Sequence, residues 1–539
     1  MVLGLRGGKE GLASSAGSMP VPWTSARRRR TRRPTAPWCG VVVLGALLVS
    51  CNERSAPTAP VQETLTIGFP DAVTGTDVGV RNLASNLSIE GLTQVSPDGH
   101  AIPRLAERWQ WEDSGYSLRI TLRPDVVFHD GTPLTARLAA SVLENLIARP
   151  GNGAMFPSLL DIQDVVAEGE LDVLFRLSKP SAFLPEDLDL PFVIGTPPVG
   201  TGPFRIVAST PSEIQLERFD RYHRGSPRIA KVVIRAQDAL RTAWSALLRG
   251  DVDMVTDVPP DAVQFVGNDE VQVVSFPRNY QYVIAFNSQK APFDRREVRR
   301  ALNVALDRQA IVQSVLQGRG VASSGPLWPQ HWAFDRSVTT YPADPSAATL
   351  MLEQAGLHLS ASTGGPPARL RFTCLIPEGF SVVERLALEI QRQLYSIGVD
   401  MRVEVVRPQD FDGRVRSGDF EATLMDMIGG PSLGRAYVFW GSAKSFSGLN
   451  LFGYENAEAE RLFGILRTTT NEAAIRSATR ALQRVFLDDP PGLFIAWNER
   501  ARAVRRDFRI VQDVQSDPAD PIYSIWRWVP EPTGAAATR

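Results

Sequence analysis

Alternating apolar and polar residues predict strands in the first third of the chain. Residues 65–69 alternate in this way, and residues 116–122 place four apolar side chains on one face. Residues 171–177 repeat the alternation and are predicted to pair with 116–122. Between these strands, residues 135–148 carry apolar side chains at helical spacing, and a turn at 129–133 precedes them.

Helical and strand patterns alternate more regularly in the second half. Asp294 and Glu297 have the spacing of a capping box, followed by an apolar helical stripe, and Asp344 with Pro345 predicts another helix start before Gly356. Further helices are predicted over 383–397, 411–415, 457–466 and 471–487, and strands over 403–405 and 422–427. This order predicts an α/β fold with a partly parallel sheet covered by helices.

The N-terminal region has the pattern of an export signal. Basic residues between Arg27 and Arg33 precede the apolar run VVVLGALLVSC, residues 41–51, which is too short for a permanent span of ~30 Å of hydrocarbon. The run resembles the bacterial lipobox, which implies that Cys51 is acylated and anchors the protein in a membrane. The alternative is an ordinary cleaved secretory signal with a chance cysteine, and Met19 is an alternative start.

Residues 1–50 are therefore predicted to be a signal peptide, and residues 51–63, rich in Pro, Ala and polar residues, a flexible tether. Removing residues 1–50 takes away eight basic residues and one acidic residue, so the net charge of −1 becomes −8. An acidic exported body argues against nucleic acid as a partner. No run approaching 18 apolar residues follows Cys51, which argues against a second membrane crossing.

Of the three cysteines, Cys39 would be removed with the signal and Cys51 acylated, which leaves Cys374 without a disulfide partner. The composition is otherwise that of a globular protein, with 43% hydrophobic and 22% charged residues. The chain length suits two or three domains built around more than one core. Stability must therefore come from packed cores.

The sequence also predicts that the protein is not an enzyme. Residues 430–434 match a nucleophile-elbow pattern around Ser432, but all five histidines precede that serine, whereas the α/β-hydrolase order needs one after it. Asp251, Asp253 and Asp257 lack the Gly and Glu positions of a calcium loop, so we expect them to follow a helix end. The histidines are scattered, and His129 is interpreted as a turn residue. No metal site and no cofactor are predicted.

Four ordered blocks carry a resemblance to a known family. They comprise Glu90–Leu92 with 103–109 and 122–136; Gly200–Phe204 with 218–222 and 247–254; 285–288 with 292–307; and 386–427. Together they resemble the extracellular solute-binding proteins of family 5, the substrate-binding subunits of ABC importers for peptides, nickel and opines. The blocks occur in the expected order over nearly all of residues 65–500.

The resemblance implies a class II periplasmic-binding-protein-like fold with two lobes, an inserted domain and two crossover hinge strands. Lobe one would comprise residues 64–90, 200–280 and 496–539, and lobe two residues 281–495. The inserted domain would comprise residues 91–199. The crossovers would be Tyr282–Asn287 and Phe494–Trp497, and the glycine-rich segment at Gly200 is interpreted as a hinge element. A ligand between the lobes would stabilise the closed form.

The resemblance also directs attention to the segment after residues 422–427. Peptide-binding members carry a Trp and then an Asp for the peptide α-ammonium there, whereas this chain has Met427 near the first position and Gly429 or Gly430 near the second. Asp426 could substitute from one position away, and Arg435 could hold a ligand carboxylate. The candidate ligand-binding residues are Tyr282, Asn287, Asp426, Met427, Tyr437, Trp440 and Trp497. For each of them, simple core packing is the alternative.

The predicted function is capture of a peptide or another small polar solute by a monomeric, lipid-anchored protein in the periplasm or at the cell surface. The predicted partners are that ligand, the permease and ATPase subunits of an ABC importer, and the membrane that holds the anchor. The alternative is a sensory or interaction lipoprotein on the same scaffold that imports nothing.

Overall fold

The computed structural model describes residues 63–70, 77–149, 151–259, 262–338, 341–362, 365–442, 449–513 and 518–531. The predicted signal peptide, Cys51 and nearly all of the predicted tether lie outside the described residues. Among the residues described, no helix combines the length and apolar character needed to cross a membrane.

The strands occupy both halves of the chain. They are β1 Thr64–Pro70, β2 Thr93–Val95, β3 Ala101–Pro103, β4 Ala106–Glu112, β5 Ser117–Leu122, β6 Ile162–Glu168, β7 Asp172–Leu177, β8 Phe204–Ser209, β9 Glu213–Arg218, β10 Lys231–Gln237, β11 Met254–Val255, β12 Val271–Phe286, β13 Gly320–Ala322, β14 Ser360–Ser362, β15 Gly365–Ala368, β16 Leu370–Pro377, β17 Val399–Val406, β18 Ala422–Ile428, β19 Gly492–Arg505, β20 Phe508–Arg509 and β21 Val529–Pro530.

Most of the longer helices lie in the second half. The helices are α1 Asp77–Ser88, α2 Ala136–Ala148, α3 Asn152–Met155, α4 Leu184–Asp187, α5 Leu240–Arg249, α6 Val263–Val266, α7 Arg296–Ala305, α8 Arg308–Ser314, α9 Pro345–Gln354, α10 Ser381–Tyr395, α11 Pro408–Ser417, α12 Leu433–Trp440, α13 Ala457–Thr468 and α14 Glu472–Asp488. Short 3-10 turns cover Asp113–Gly115, Pro157–Asp161 and Pro521–Arg527.

The predicted helix starts are mostly confirmed by their caps. The Asp344 side chain accepts from the Ala347 backbone N–H, and the Asn471 side chain accepts from Ala474 N–H. The capping box predicted at Asp294 is wrong, because α7 begins at Arg296 and its N-cap, Arg295, makes no side-chain cap bond. The apolar stripe of α7 is buried as predicted, since tertiary packing of that face fixes the helix independently of its cap.

One eleven-stranded sheet is the main sheet of the described residues. Its order is β17-β16-β18-β12-β19-β11-β1-β10-β9-β8, and β13 pairs with β19 off this path. Strand β16 is parallel to β17 and β18, and β1 is parallel to β10 and β11, which confirms the predicted partly parallel sheet. The antiparallel strands β12 and β19 join these two parallel groups.

The β12–β19 ladder changes register in its middle. Residues 271–277 of β12 pair with 505–499, and pairing resumes only at Gln281, which lies opposite Trp497. A second shift follows between Tyr282 and Val283. Pro277 has no N–H to donate, so a ladder break beside it is expected. The two long strands thus cross from one parallel group to the other through an irregular segment.

A separate four-stranded sheet is formed by the part of the sequence between β1 and β8. Its order is β4-β5-β7-β6, and β5 pairs with β7 as predicted. Helix α2 begins after Thr135, whose side chain accepts from Leu138 N–H at 3.3 Å, and buries Ala139, Leu143 and Leu146. These side chains and the inner face of the sheet form a core of their own.

Close backbone contact joins this smaller sheet region to the main sheet. A Cβ at Gly200 would lie 2.1 Å from Ser88 O, and one at Gly202 would lie 2.7 Å from the Ser88 carbonyl carbon. Only glycine permits this approach. His129 is a buried turn residue, as predicted, and its Nε2 lies 2.9 Å from Gly202 O.

A buried carboxylate reinforces the same junction. Glu90 accepts from Arg104 Nε at 2.8 Å, Tyr222 OH at 3.0 Å, Thr201 Oγ1 at 3.0 Å and lies 3.1 Å from His223 Nε2. Burial opposes ionisation of Glu90, but Arg104 and the hydrogen bonds outweigh it and lower its pKa to about 2. The carboxylate therefore stays charged and holds together residues from three separate stretches of the chain.

Candidate functional site

Charged side chains meet where the two long strands cross. Asp426, in β18, accepts from Arg278 Nη1 at 3.0 Å and from Asn498 Nδ2 at 3.0 Å, and Arg500 Nη2 lies 3.8 Å away. Arg500 Nη1 in turn lies 2.5 Å from Asp257 Oδ2, just past the end of β11. We call these five residues the crossover network. It links the two parallel groups of the main sheet.

Two tyrosines face the crossover network. Tyr282 lies opposite Asp426 in the β12–β18 ladder, and burial followed by the Asp426 charge raises its pKa to about 12. The guanidinium of Arg278 lies 3.8 Å from the ring centroid of Tyr280. The charge of Asp257 raises the pKa of Arg500 above its usual range. The network contains two carboxylates and two guanidinium groups, so its formal charges balance.

This geometry decides what Asp426 can offer to a ligand. Both of its oxygens already accept hydrogen bonds, and two guanidinium groups balance its charge together with that of Asp257. A ligand ammonium would have to displace Arg278 or Asn498 to reach it. In this arrangement Asp426 acts as a counter-ion for the arginines.

The other strand candidates divide between the two faces of the sheet. Trp497 is buried, packs edge-on against Trp328 at 4.8 Å, and its Nε1 has no hydrogen-bond partner among the described residues. Met427 lies opposite Gln281 in the ladder, as Trp497 does, and packs in the core beside α12. Tyr282 belongs to the core on the opposite face. The structure thus brings Tyr282 and Asp426 together and places Trp497 near Met427.

The remaining three candidates are Asn287, Tyr437 and Trp440. They are buried beside the parallel group of β16, β17 and β18. Asn287 Nδ2 donates to the carbonyls of Gly418 and Phe420, and Trp440 stacks on Phe452 at 5.3 Å. Tyr437 is buried and its hydroxyl accepts from Arg467 at 3.1 Å. Their surroundings match the packing alternative, and a ligand role for them stays a prediction.

Polar contacts also connect the four-stranded region to helices α12 and α13. Ser432 Oγ donates to Glu186 Oε2 at 2.5 Å, and Arg435 Nη1 donates to Met155 O at 2.7 Å. The pair Arg467–Asp161 is nearly buried at 2.6 Å. We call these three pairs the insert contacts. Ser432 caps α12 by accepting from Gly434 N–H, which gives it a structural role in place of a nucleophile's.

The pKa values of Glu186 and of Asp187 beside it lie above the usual range of carboxyl groups. Burial is the main cause that raises the pKa of Glu186 to about 8 and the pKa of the neighbouring Asp187 to about 6. Arg435 opposes both shifts, and it also lies 4.8 Å over the Phe156 ring. Arg435 is thus a half-buried contact residue between two parts of the fold.

A second set of contacts involves the loop before α9. Trp328 Nε1 donates to Pro97 O at 2.9 Å, and Trp332 N donates to Asp98 O at 2.9 Å. The His100 ring stacks on Trp332 at 5.0 Å. Residues 97–100 and 155–187 therefore both touch the part of the chain predicted to form lobe two.

A cavity of about 580 Å³ lies between residues 321–338 and helix α14, and Arg336 forms part of its wall. A second cavity, of about 430 Å³, lies at the carboxyl ends of β10 and β11. Its walls include Leu240, Arg241, Trp244, Asp257, Val258 and Phe265. We call this the edge cavity. It borders the crossover network through Asp257.

Sequence reasoning missed most of these residues. Arg278, Asn498 and Arg500 carry no motif, and only the strand register brings them to Asp426. Asp257 follows a helix that ends at Gly250, as predicted, but its partner Arg500 lies 243 positions later. The sequence signal that could have found these residues was the high density of charged residues near the predicted crossovers. Among the described residues, no group of three or more His, Cys, Asp or Glu side chains is arranged to hold a metal ion.

Comparison with known proteins agrees with this architecture. Residues 100–447 match the sequence model of the bacterial extracellular solute-binding proteins, family 5 Middle. The chain belongs to this family, which is one of substrate-binding proteins and works outside the cytoplasm. The fold is accordingly the two-lobed class II-like fold with an inserted domain and two crossover strands.

Individual relatives cover most of the chain. The oligopeptide-binding protein AppA from Bacillus subtilis is 25% identical over 475 residues, which are 82% of this chain and 86% of AppA. The crystal structure of NikZ from Campylobacter jejuni with Ni(L-His) has a TM-score of 0.75 at 19% identity, and covers 87% of this chain and 99% of NikZ. The structure of AgaA with agropinic acid has a TM-score of 0.72 at 22% identity, and covers 87% of this chain and 99% of AgaA.

Proposed function

We propose that this protein is a lipid-anchored substrate-binding protein of an ABC importer. It captures a small polar solute by closure of two lobes and delivers that solute to a permease. The observation that carries the proposal is the break in the β12–β19 ladder at Pro277, next to charged pairs that span the two sides of the sheet. An irregular two-strand connection is a suitable hinge, and a ligand that touches both sides favours the closed form.

The insert contacts support closure as the working motion. Glu186–Ser432 and Arg467–Asp161 join the predicted inserted domain to predicted lobe two, and opening at the crossovers would separate them. These pairs are few and polar, so breaking them on opening costs little free energy. A binding protein must open in this way to release its ligand.

The ligand itself is not set by the scaffold. The named relatives were crystallised with Ni(L-His) and with agropinic acid, and AppA is an oligopeptide-binding protein. Asp426, which the sequence places one position from the expected ammonium-binding residue, is already paired with Arg278. We therefore favour a solute without a free α-ammonium group over an ordinary peptide.

Solute capture is tested by native mass spectrometry together with small-angle X-ray scattering. The full-length protein purified from its producing cells should carry a small molecule, and removing that molecule should increase the radius of gyration, which re-addition should restore. An unliganded protein whose scattering responds to no extract of the growth medium would contradict the proposal.

Anchoring at Cys51 is tested with a metabolically incorporated palmitate analogue. Cys51→Ser should abolish labelling and release the protein from the membrane fraction. Cys374→Ser is the matched control, because Cys374 is fully buried and cannot be acylated in the folded protein. Labelling that persists in the Cys51→Ser variant would contradict the anchor.

Transport is separated from sensing by an uptake measurement. Cells that lack the protein should lose uptake of the isotope-labelled co-purified solute and regain it on complementation. If uptake is unchanged while a transcriptional response to the solute is lost, the sensory function replaces the transport function.

A further inference from the structure

We infer that the edge cavity binds an aromatic carboxylic acid that lacks a free ammonium group. The inference rests on the proposed function and names the chemical class of the solute that predicted lobe one would hold, because the described wall residues of the edge cavity all lie between positions 240 and 266. The position of the cavity, its apolar walls and the ion pairs of the charged residues around it support this assignment.

The position is that of a ligand site in an open α/β sheet. Strands β10 and β11 both run parallel to β1, and the chain leaves each of them at the same edge of the sheet. The edge cavity is lined by the first turn of α5, which follows β10, and by residues 257–259, which follow β11. Ligands of such sheets bind outside the carboxyl ends of the strands.

The size and walls suit one small apolar group. A volume of about 430 Å³ lies within the range of small-molecule pockets. Trp244 and Phe265 supply two aromatic rings, and Phe265 is 78% exposed, an unusual state for a side chain of that size. A ligand ring that packs between Trp244 and Phe265 would cover this apolar surface.

The charges around the edge cavity favour an anion. Arg241 is exposed, lines the cavity, and has no ionic partner among the described residues. It lies three positions before Trp244 in α5, so both side chains occupy the same helix face. A carboxylate bound to Arg241 would therefore belong to a ligand whose ring contacts Trp244.

The acidic residue of the cavity does not reverse this preference. Asp257 is neutralised by Arg500 at 2.5 Å, and Asp426 is satisfied by Arg278 and Asn498. Among the described residues that line this site, a ligand ammonium would thus find no carboxylate that lacks a partner, whereas a ligand carboxylate finds Arg241. The arrangement distinguishes an acid from an amine of the same shape.

Four related probes, which differ in charge or in the presence of the aromatic ring, test the inference. Their binding is measured by isothermal titration calorimetry on the full-length protein freed of its co-purified solute. They are N-acetyl-L-phenylalanine, its neutral amide, N-acetylglycine, which lacks the ring, and the cation L-phenylalaninamide. The acid should bind with a Kd below about 1 mM, and each of the other three should bind at least about tenfold more weakly.

Variants locate the binding. Arg241→Gln and Trp244→Leu should each weaken binding of N-acetyl-L-phenylalanine by about tenfold or more. Arg336→Gln is the matched control, because Arg336 is also an exposed cavity-lining arginine, in the cavity beside α14, and its substitution should leave the affinity unchanged. Circular dichroism and thermal unfolding of each variant exclude a folding defect.

The inference would be overturned by tighter binding of L-phenylalaninamide than of the acid, or by the absence of binding of the acid at about 1 mM. An equal loss of affinity in Arg241→Gln and Arg336→Gln would also overturn it. If the lobes then still close on the co-purified solute in the scattering experiment, the proposed function stands without this inference. If no solute changes the scattering, the proposed function fails as well.

Discussion

Glu90 is the clearest case in which one side chain joins distant parts of this chain. Its carboxylate is buried and receives hydrogen bonds or charge from Arg104, Tyr222 and His223. The folded-state pKa of about 2 lies below the ordinary glutamate value of 4.5. A group with a lowered pKa stabilises the fold above the unfolded-state pKa and loses that contribution as the pH falls through the folded-state value.

We expect Glu90→Gln to lower the free energy of unfolding at pH 7 by on the order of 3 kcal/mol. The difference from the unsubstituted protein should shrink as the pH falls from 4.5 towards 2, because the ionised carboxylate is then lost in both states. Urea unfolding at pH 7 and at steps below pH 4.5 measures this. Glu107→Gln serves as the control, since that side chain is half exposed. A difference that does not vary with pH would exclude the charge as the cause.

Asp426 is the residue at which the ligand hypothesis can be tested most directly. Asp426→Asn removes the charge that holds Arg278, so we expect a loss of about 1–2 kcal/mol in unfolding free energy. If Asp426 serves only as a counter-ion, affinity for the co-purified solute should stay within about threefold in calorimetry. Asp410→Asn, on the exposed side of α11, is the control. A much larger loss of affinity would restore Asp426 as a ligand contact.

At the scale of elements, two glycines with opposite surroundings make a matched pair. Gly200 packs against the end of α1, where an added Cβ would lie 2.1 Å from Ser88 O, whereas an added Cβ at Gly464, within α13, meets no atom within 4 Å. Gly200→Ala should therefore destabilise the fold by on the order of 3 kcal/mol through a forced backbone shift.

Gly464→Ala should instead stabilise the protein by about 0.5–1 kcal/mol, because alanine loses less conformational entropy in a helix. Thermal unfolding of both variants under identical conditions measures the two shifts. Equal effects of the two substitutions would mean that the junction at Ser88 is looser than described.

Elements are also the scale at which sequence reasoning succeeded most often. The strands at 65–69 and 116–122 and the helix after Thr135 are confirmed because periodicity and caps are local properties. The capping box predicted at Asp294 was wrong, because the spacing of Asp294 and Glu297 alone does not show at which residue the helix begins. Local patterns therefore predict the existence of elements better than their ends.

At the scale of the whole molecule, the insert contacts are expected to bias the protein towards closure. Arg467→Gln removes the pairing with Asp161 and the hydrogen bond to Tyr437. We expect a larger radius of gyration without ligand and an affinity for the co-purified solute lowered by about five- to tenfold, since closure would cost more.

Small-angle scattering and calorimetry on the same samples measure both effects. Arg461→Gln is the matched control, because Arg461 lies on the same helix, α13, and forms an exposed pair with Glu458. Unchanged scattering and affinity in the Arg467→Gln variant would show that the insert contacts do not influence closure.

The candidate site was only partly accessible from the sequence. Asp426 and Tyr282 were predicted individually and do lie opposite each other, because both follow from strand positions near a crossover. Arg241, Arg278 and Arg500 were not predicted, since an isolated arginine carries no pattern that distinguishes a site from a solvated surface. Asn287, Tyr437 and Trp440 have aromatic or polar character that core packing uses equally well.

The sequence by itself determined the alternating strands and helices, the family and, as a prediction, export and acylation at Cys51. These properties depend on residues close together in the chain or on the order of blocks along it. Only the tertiary structure decided that Asp426 is neutralised by Arg278 and Arg500, and that Arg241 borders a cavity and has no counter-ion in the part of the chain that the structure describes. Ion pairs and hydrogen bonds between residues separated by 72–243 positions depend on strand register and packing, and no local pattern encodes them.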